Sequence, residues 1–236
     1  MKKLKTRLLN NKGLTLTELI VALFLTSIIL AIAVGMLAPV KNLMNTMKGN
    51  AHMDTVSSTI GEYIRGNVQT AKSLKIVVLE DDNTINGGDT DGVKKFFSDN
   101  GKVKALAVLD TGVDEKSYRL FDFEEIPAGG YTDLVNMLNA KDQDLYAVFH
   151  EPFYENTSCA VEFFNAGGDR LQVASQCFKN GEMVNQKHVL SFNLLNSHVS
   201  GFTDISGTGT ETKVDPDEQT VIVGHCYLIL YTVLEI

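Results

Sequence analysis

The sequence predicts an α+β fold. A long N-terminal α-helix, its first half membrane-spanning and its second half amphipathic, packs on a mainly antiparallel β-sheet in an enlarged head. Three observations predict it. From Leu19 to Val40, 22 consecutive positions carry no charge. Apolar residues then recur every three or four positions to about Lys72, the period of one helix face. After Ser73 the period falls towards two, broken by Gly-, Asp- and Asn-rich turns, as strands require. With 236 residues and 44% hydrophobic content, the chain is long enough to bury a core behind such an appendage.

The first element is basic. Lys2, Lys3, Lys5, Arg7 and Lys12 precede Gly13 with no acid among them. Removing these five from the formal −8 leaves −13 on the remainder. An acidic remainder is poorly suited to neutralising phosphates, so no nucleic-acid signal is read. The uncharged run that follows is long enough for a hydrocarbon layer of roughly 30 Å. Flanking lysines place its N-terminus in the cytoplasm and the chain after Lys41 outside. Within this region one carboxylate stands out. Glu18 lies six residues inside the basic flank, and a carboxylate at membrane depth is a pointer to function.

These residues resemble a known family. The stretch "KGLTLTELIVAL", Lys12 to Leu23, is similar to the class III signal of type IV prepilins and the related pseudopilins. The resemblance implies cleavage between Gly13 and Leu14 by a prepilin peptidase, and N-methylation of Leu14. It further implies a pilin-like fold with an extracellular head. Glu18 becomes the fifth mature residue, whose carboxylate pairs with the terminal amine of a neighbouring subunit during assembly. Such pairing lowers the cost of both charges in an apolar filament core. The family usually has Phe where this chain has Leu14; a large apolar residue is kept. The resemblance covers residues 1 to about 45.

Along the helix, Pro39 cannot donate a backbone hydrogen bond, and Gly35 lies four residues before it. By analogy with the family, a kink or an extended stretch is expected from Gly35 to Pro39. Beyond it, Met53, Val56, Ile60 and Ile64 form the apolar face of an amphipathic helix laid on the sheet. A helix from Leu14 to Lys72 would be roughly 90 Å long. The expected organisation is a leader peptide over 1–13, a hydrophobic transmembrane and assembly helix over 14–40, and an amphipathic helix over 41–73. The extracellular α+β head covers 74–236.

In the head, "KIVVLE", "VKALAVLD" and "SYRLFDFEEI" read as strands, "YTDLVNMLNAK" as a short helix and "DLYAVFHE" as a strand. Two strands flank "NAGGDR", and "VLSFNLLN" and "VIVGHCYLILYTVL" supply the last ones, the C-terminal strand closing the sheet. The acidic stretch Glu80 to Lys95, with Asp81, Asp82, Asp89 and Asp91, suits calcium by ligand type. Its spacing does not match an EF-hand, and it reads as a solvated loop. "ISGTGTETKVDPDEQT", Ile205 to Thr220, reads as a long exposed loop.

Three cysteines fall in the head. If a hairpin is centred on Gly168, Cys159 faces Cys177, Val161 faces Ser175 and Phe163 faces Val173. A cross-strand disulfide between Cys159 and Cys177, reduced buried thiols, and a zinc site are the three open readings. The zinc set would join Cys159, Cys177 and Cys226 to His225, His188 or His198. No cofactor is otherwise implied. The five histidines, which include His52 and His150, show no nucleophile or metal spacing and read as structural or surface residues, so no enzyme is expected.

The expected function is that of a structural subunit of a type IV pilus, with the large head favouring a minor pilin. Adhesion, motility or uptake would follow from filament extension and retraction. The alternatives are a pseudopilin of a type II secretion or competence system and a membrane-tethered extracellular binding module. Expected partners are other pilin subunits, the prepilin peptidase, the assembly platform of the inner or cytoplasmic membrane, and membrane lipid before assembly. The subunit would pass from the cell membrane to an extracellular filament.

Overall fold

The computed structural model describes residues 15–80, 82–112, 117–126, 130–139, 143–165, 169–179, 182–183, 185–196 and 225–233. Its contacts divide the chain into two compact units, Met1–Lys48 and Gly49–Ile236. The architecture is the expected α+β one: a long N-terminal helix followed by antiparallel sheets.

In the first unit, every described residue is exposed and belongs, after Thr15, to helix α1, Leu16–Val68. The helix runs through Gly35 and Pro39 without interruption, so the extended stretch expected there is not present. The break is confined to one rung. Pro39 has no N–H for the carbonyl of Gly35, its i−4 residue, and the remaining ladder carries the helix across.

In the second unit, α1 contributes Met53, Val56, Ser57, Ile60, Gly61, Ile64 and Val68 to the buried interior. These lie three and four apart, as one helix face must. The strands are β1 (Ser73–Leu79), β2 (Val103–Asp110), β3 (Tyr118–Ile126), β4 (Ser158–Asn165), β5 (Arg170–Lys179), β6 (Glu182–Met183), β7 (His188–Asn193) and β8 (Cys226–Thr232). They form two antiparallel sheets where one was expected. The first has the order β1-β8-β2-β3; in the second, β5 lies between β4 and β7 and also pairs with β6. The C-terminal strand does not close an edge. β8 inserts between β1 and β2, with Ile229 opposite both Ile76 and Leu106. All seven of its residues are buried, as in a central strand covered on both faces.

Two other local expectations are corrected. The acidic stretch is a turn only as far as Asn86. Helix α2, Gly87–Asp99, begins there, and the Asn86 side chain caps it by accepting from the Gly88 N–H at 3.0 Å. Burial of Val93 against the core, with Phe96 and Phe97 packed beside it, supplies the driving force. "DLYAVFHE" is not a strand. It forms a 3-10 turn at Gln143–Tyr146 and a single bridge from Ala147 to Phe121. Pro152 then occupies the first turn of the short helix α4, Glu151–Tyr154. Proline fits a first helical turn and cannot extend a strand ladder. The predicted helix is present as α3, Tyr131–Leu138. Before it, Gly130 has φ +62° and lies against Phe97, a conformation that favours glycine.

Candidate functional site

The expected cleavage pair, Gly13 and Leu14, lies outside the described residues. Immediately after it, Thr15 and Glu18 form a reciprocal cap on α1. The Thr15 backbone N–H donates to Glu18 Oε2 at 2.9 Å, and its hydroxyl donates to the same oxygen at 2.9 Å. In return, the Glu18 N–H donates to Thr15 Oγ1 at 3.4 Å. This is a capping box, in which a Thr and a Glu three residues on satisfy two backbone N–H groups that no helical carbonyl can reach. The signal is legible as Thr-x-x-Glu in the sequence, where the charge of Glu18 masks it. An anion in a first turn also meets the positive end of the helix dipole. The carboxylate thus has a partner within its own chain while remaining exposed to another.

From Leu16 to Met47 the helix presents large apolar side chains on all sides, among them Leu23, Phe24, Ile29, Leu37 and Leu43, each more than half exposed. It is long and apolar enough to cross a membrane. The few hydroxyls in the run are satisfied within the helix. Thr26 donates to the Leu23 carbonyl at 3.2 Å and Ser27 to that of Phe24 at 2.7 Å. Internal satisfaction of this kind is what a lipid or apolar protein environment demands. Nothing lies within 4 Å of a Cβ placed on Gly35.

The cysteines fall into two groups, all three as buried free thiols. Cys159 on β4 faces Cys177 on β5, in the register a hairpin centred on Gly168 requires. The Cys177 N–H points away from β4 and donates to Asn185 Oδ1 at 2.8 Å. The two cysteines therefore form a non-hydrogen-bonded pair, the closer of the two antiparallel arrangements, with Cα atoms about 4.5 Å apart. That separation lies within the range a disulfide spans. Helix α1 covers the pair through Ser57, whose hydroxyl is 3.3 Å from Cys177 Sγ and 3.9 Å from Cys159 Sγ. Asn185 locks this junction by donating to Ser57 Oγ at 2.8 Å and to the Met53 carbonyl at 3.2 Å. The hydrogen bond with Cys177, together with burial, pushes the Cys159 thiol well above its ordinary range.

Among the described residues the candidate zinc ligands are not brought together, and no group of three or more His, Cys, Asp or Glu there could hold a metal ion. Cys226 lies opposite Leu79 in the first sheet, whereas Cys159 and Cys177 belong to the second. His225 stacks edge-on to Tyr227 beside β8; His188 sits on β7 opposite Ser175. His198 lies outside the described residues, as does the loop Ile205 to Thr220.

Comparison with known proteins bears on the N-terminal segment. Residues 8–34 match the family model described as the prokaryotic N-terminal methylation motif. The segment carries the class III signal of type IV pilins, joined here to the long apolar helix. That signal implies processing by a prepilin peptidase and assembly with other pilin subunits. Comparison with curated proteins and with solved structures gives no match.

Proposed function

We propose that this chain, a pilin-like protein by its N-terminal signal, is a minor pilin of a type IV pilus. The peptidase cuts between Gly13 and Leu14, and Leu14 is then N-methylated. Before assembly the apolar part of α1 is held in the membrane with the basic leader in the cytoplasm. On assembly it moves from lipid into the helical core of a filament. There the Glu18 carboxylate exchanges its bond to Thr15 for an ion pair with the terminal amine of a neighbouring Leu14, which sets the axial step between subunits. Gly35 and Pro39, where one helical rung is missing, give the helix its point of yield during that transfer. The head, Gly49 onward, is carried outside and presented on a filament serving adhesion, motility or uptake.

The observation that carries this reading is the methylation motif over residues 8–34, joined to a helix whose most apolar stretch contains no buried residue. An apolar face of this extent needs lipid or other subunits to cover it. The test is N-terminal sequencing and mass analysis of the chain recovered from sheared surface filaments. The expected result is N-methyl-leucine at position 14 in a low-abundance filament component. An intact leader would return it to the class of tethered binding modules, and a processed chain absent from surface filaments would make it a pseudopilin of a secretion or competence system. Its presence as the bulk filament protein would make it the major subunit.

A further inference from the structure

A cleft of about 620 Å³ opens at the outer edge of the first sheet, beside β3. Its far wall is the chain from Leu145 to Phe149, held along β3 by the Val148 N–H donating to the Leu120 carbonyl at 3.0 Å. Three features define its chemistry. The first is charge. Asp122 and Glu124 alternate along β3 and so share one face, and both line the cleft. No Lys or Arg is among its described lining residues. The second is an unmet polar group. Asp122 Oδ2 accepts from the Tyr63 hydroxyl at 2.6 Å, whereas Oδ1 is buried with no hydrogen-bond partner. The third is an aromatic lining. Tyr63 meets Phe149 edge-on with ring centres 5.9 Å apart, and Phe123 meets Tyr146 at 5.0 Å. Leu145, 80% exposed, stands at the rim with its side chain uncovered.

Each feature selects against some ligands. Two carboxylates repel anions, and an apolar solute would leave their charge uncompensated as it displaced water. A cation on a methylene stem meets all three. Its charge answers Asp122 and Glu124, aromatic faces attract ammonium groups, and Met137 and Leu145 offer apolar surface to the stem. We propose that this cleft binds an organic ammonium ion, a primary amine on a short aliphatic stem. Glu124 pairs with the nitrogen at the mouth, Asp122 supplies the second negative charge behind it, and the rings of Tyr63 and Tyr146 flank the stem. The amine is either free or the side chain of a lysine in a peptide.

The test uses the full chain in detergent micelles and titration calorimetry with n-butylammonium, Nα-acetyl-lysine amide and the uncharged Nα-acetyl-norleucine amide. Saturable binding of one or both amines, with at least tenfold weaker binding of the norleucine compound, is expected. Glu124→Gln and Asp122→Asn should each weaken the amine about tenfold. Glu124 is exposed, so its replacement carries little risk to folding. In Asp122→Asn the new amide oxygen can still accept from Tyr63. Tighter binding of the lysine amide than of butylammonium assigns the site to a peptide, the reverse order to a free amine. Equal binding of the uncharged analogue, no binding of either amine, or unchanged binding in both variants would overturn the proposal. None of these outcomes depends on filament assembly, so failure here is separate from failure of the pilin reading.

Discussion

Glu18 has two physical roles open to it, and single substitutions separate them. As the acidic fourth residue of a capping box it satisfies the Thr15 N–H; as a carboxylate beside the proposed cleavage site it would pair with the amine of another subunit. Loss of a cap costs about 1 kcal/mol and frays the first turn. Glu18→Ala is therefore expected to leave cleavage largely intact and to abolish most incorporation into filaments. Thr15→Ala, which removes the hydroxyl of the cap but leaves the carboxylate, should incorporate nearly normally. Both are read by immunoblot of sheared filaments against the membrane fraction. Equal defects would reduce Glu18 to a helix cap, and normal incorporation of Glu18→Ala would remove its assembly role.

Asp122 is a half-buried head carboxylate whose ionisation bears on stability. Burial, and to a smaller degree the charge of Glu124, push its carboxyl above the ordinary range, while the Tyr63 hydroxyl and Lys104 pull it down. A raised folded-state pKa means that the folded chain holds the proton more tightly than the unfolded chain. Ionised Asp122 therefore costs stability above its folded pKa, and the cost disappears once pH falls below its unfolded value, about 4. Asp122→Asn keeps the shape and an acceptor for Tyr63. Its Tm should exceed that of the parent at pH 7, with the difference vanishing as pH falls below about 4. A constant difference at both pH values would assign the effect to packing.

At the scale of elements, the β4–β5 hairpin and α1 form one junction. Ser175 donates to the Ser57 carbonyl at 2.9 Å, Asn185 bridges Met53 and Ser57, and the two cysteines lie beneath. In an oxidising compartment we expect the pair to close. Two thiols then lose two protons and two electrons to the disulfide of an exchange partner, which is reduced to a dithiol. Intact mass should rise by about 2 Da on reduction of the denatured chain, two hydrogens for one bridge. Without reduction, one thiol, Cys226, should alkylate after denaturation. Three alkylated thiols without reductant would show that the pair stays reduced, held by burial alone.

Elements also show where pattern reading succeeds. The hairpin register was legible because side chains alternate strictly and one face is apolar, so a one-residue slip would expose the core. The buried face of α1 was legible for the same reason at period 3.6. Helix α2 was missed because its N-terminal half is Gly- and Asp-rich. Its stability comes from one buried side, Val93 with Phe96 and Phe97, and not from propensity. The segment after α3 misled in the opposite sense. Its continuous apolar run, Leu145 to Phe149, reads as a short buried strand, but Pro152 and a single bridge to Phe121 leave it a turn and a short helix.

At the scale of the whole molecule, the chain joins an exposed apolar helix to a head with its own core. The predictions at this scale are the processed terminus and the filament location, because only a second environment covers Leu16 to Met47. The signal and the apolar helix that motivate these predictions were determined by sequence alone. An uncharged run, a basic flank and Lys-Gly-x-Thr-x-Thr-Glu are local chemistry, and the match over residues 8–34 reads the same letters. The Thr15–Glu18 cap, the buried face of α1 and the cysteine register belong to the same class, since each rests on neighbours in the chain or on strict periodicity. Only the tertiary structure decided that β8 enters the middle of the first sheet, that the strands divide between two sheets, and that Cys226 lies in a different sheet from Cys159 and Cys177. It alone brought Tyr63 to Asp122 across 59 positions. Those outcomes depend on which apolar surfaces find each other across long loops. No local period encodes that choice; the burial of β8 on both faces does.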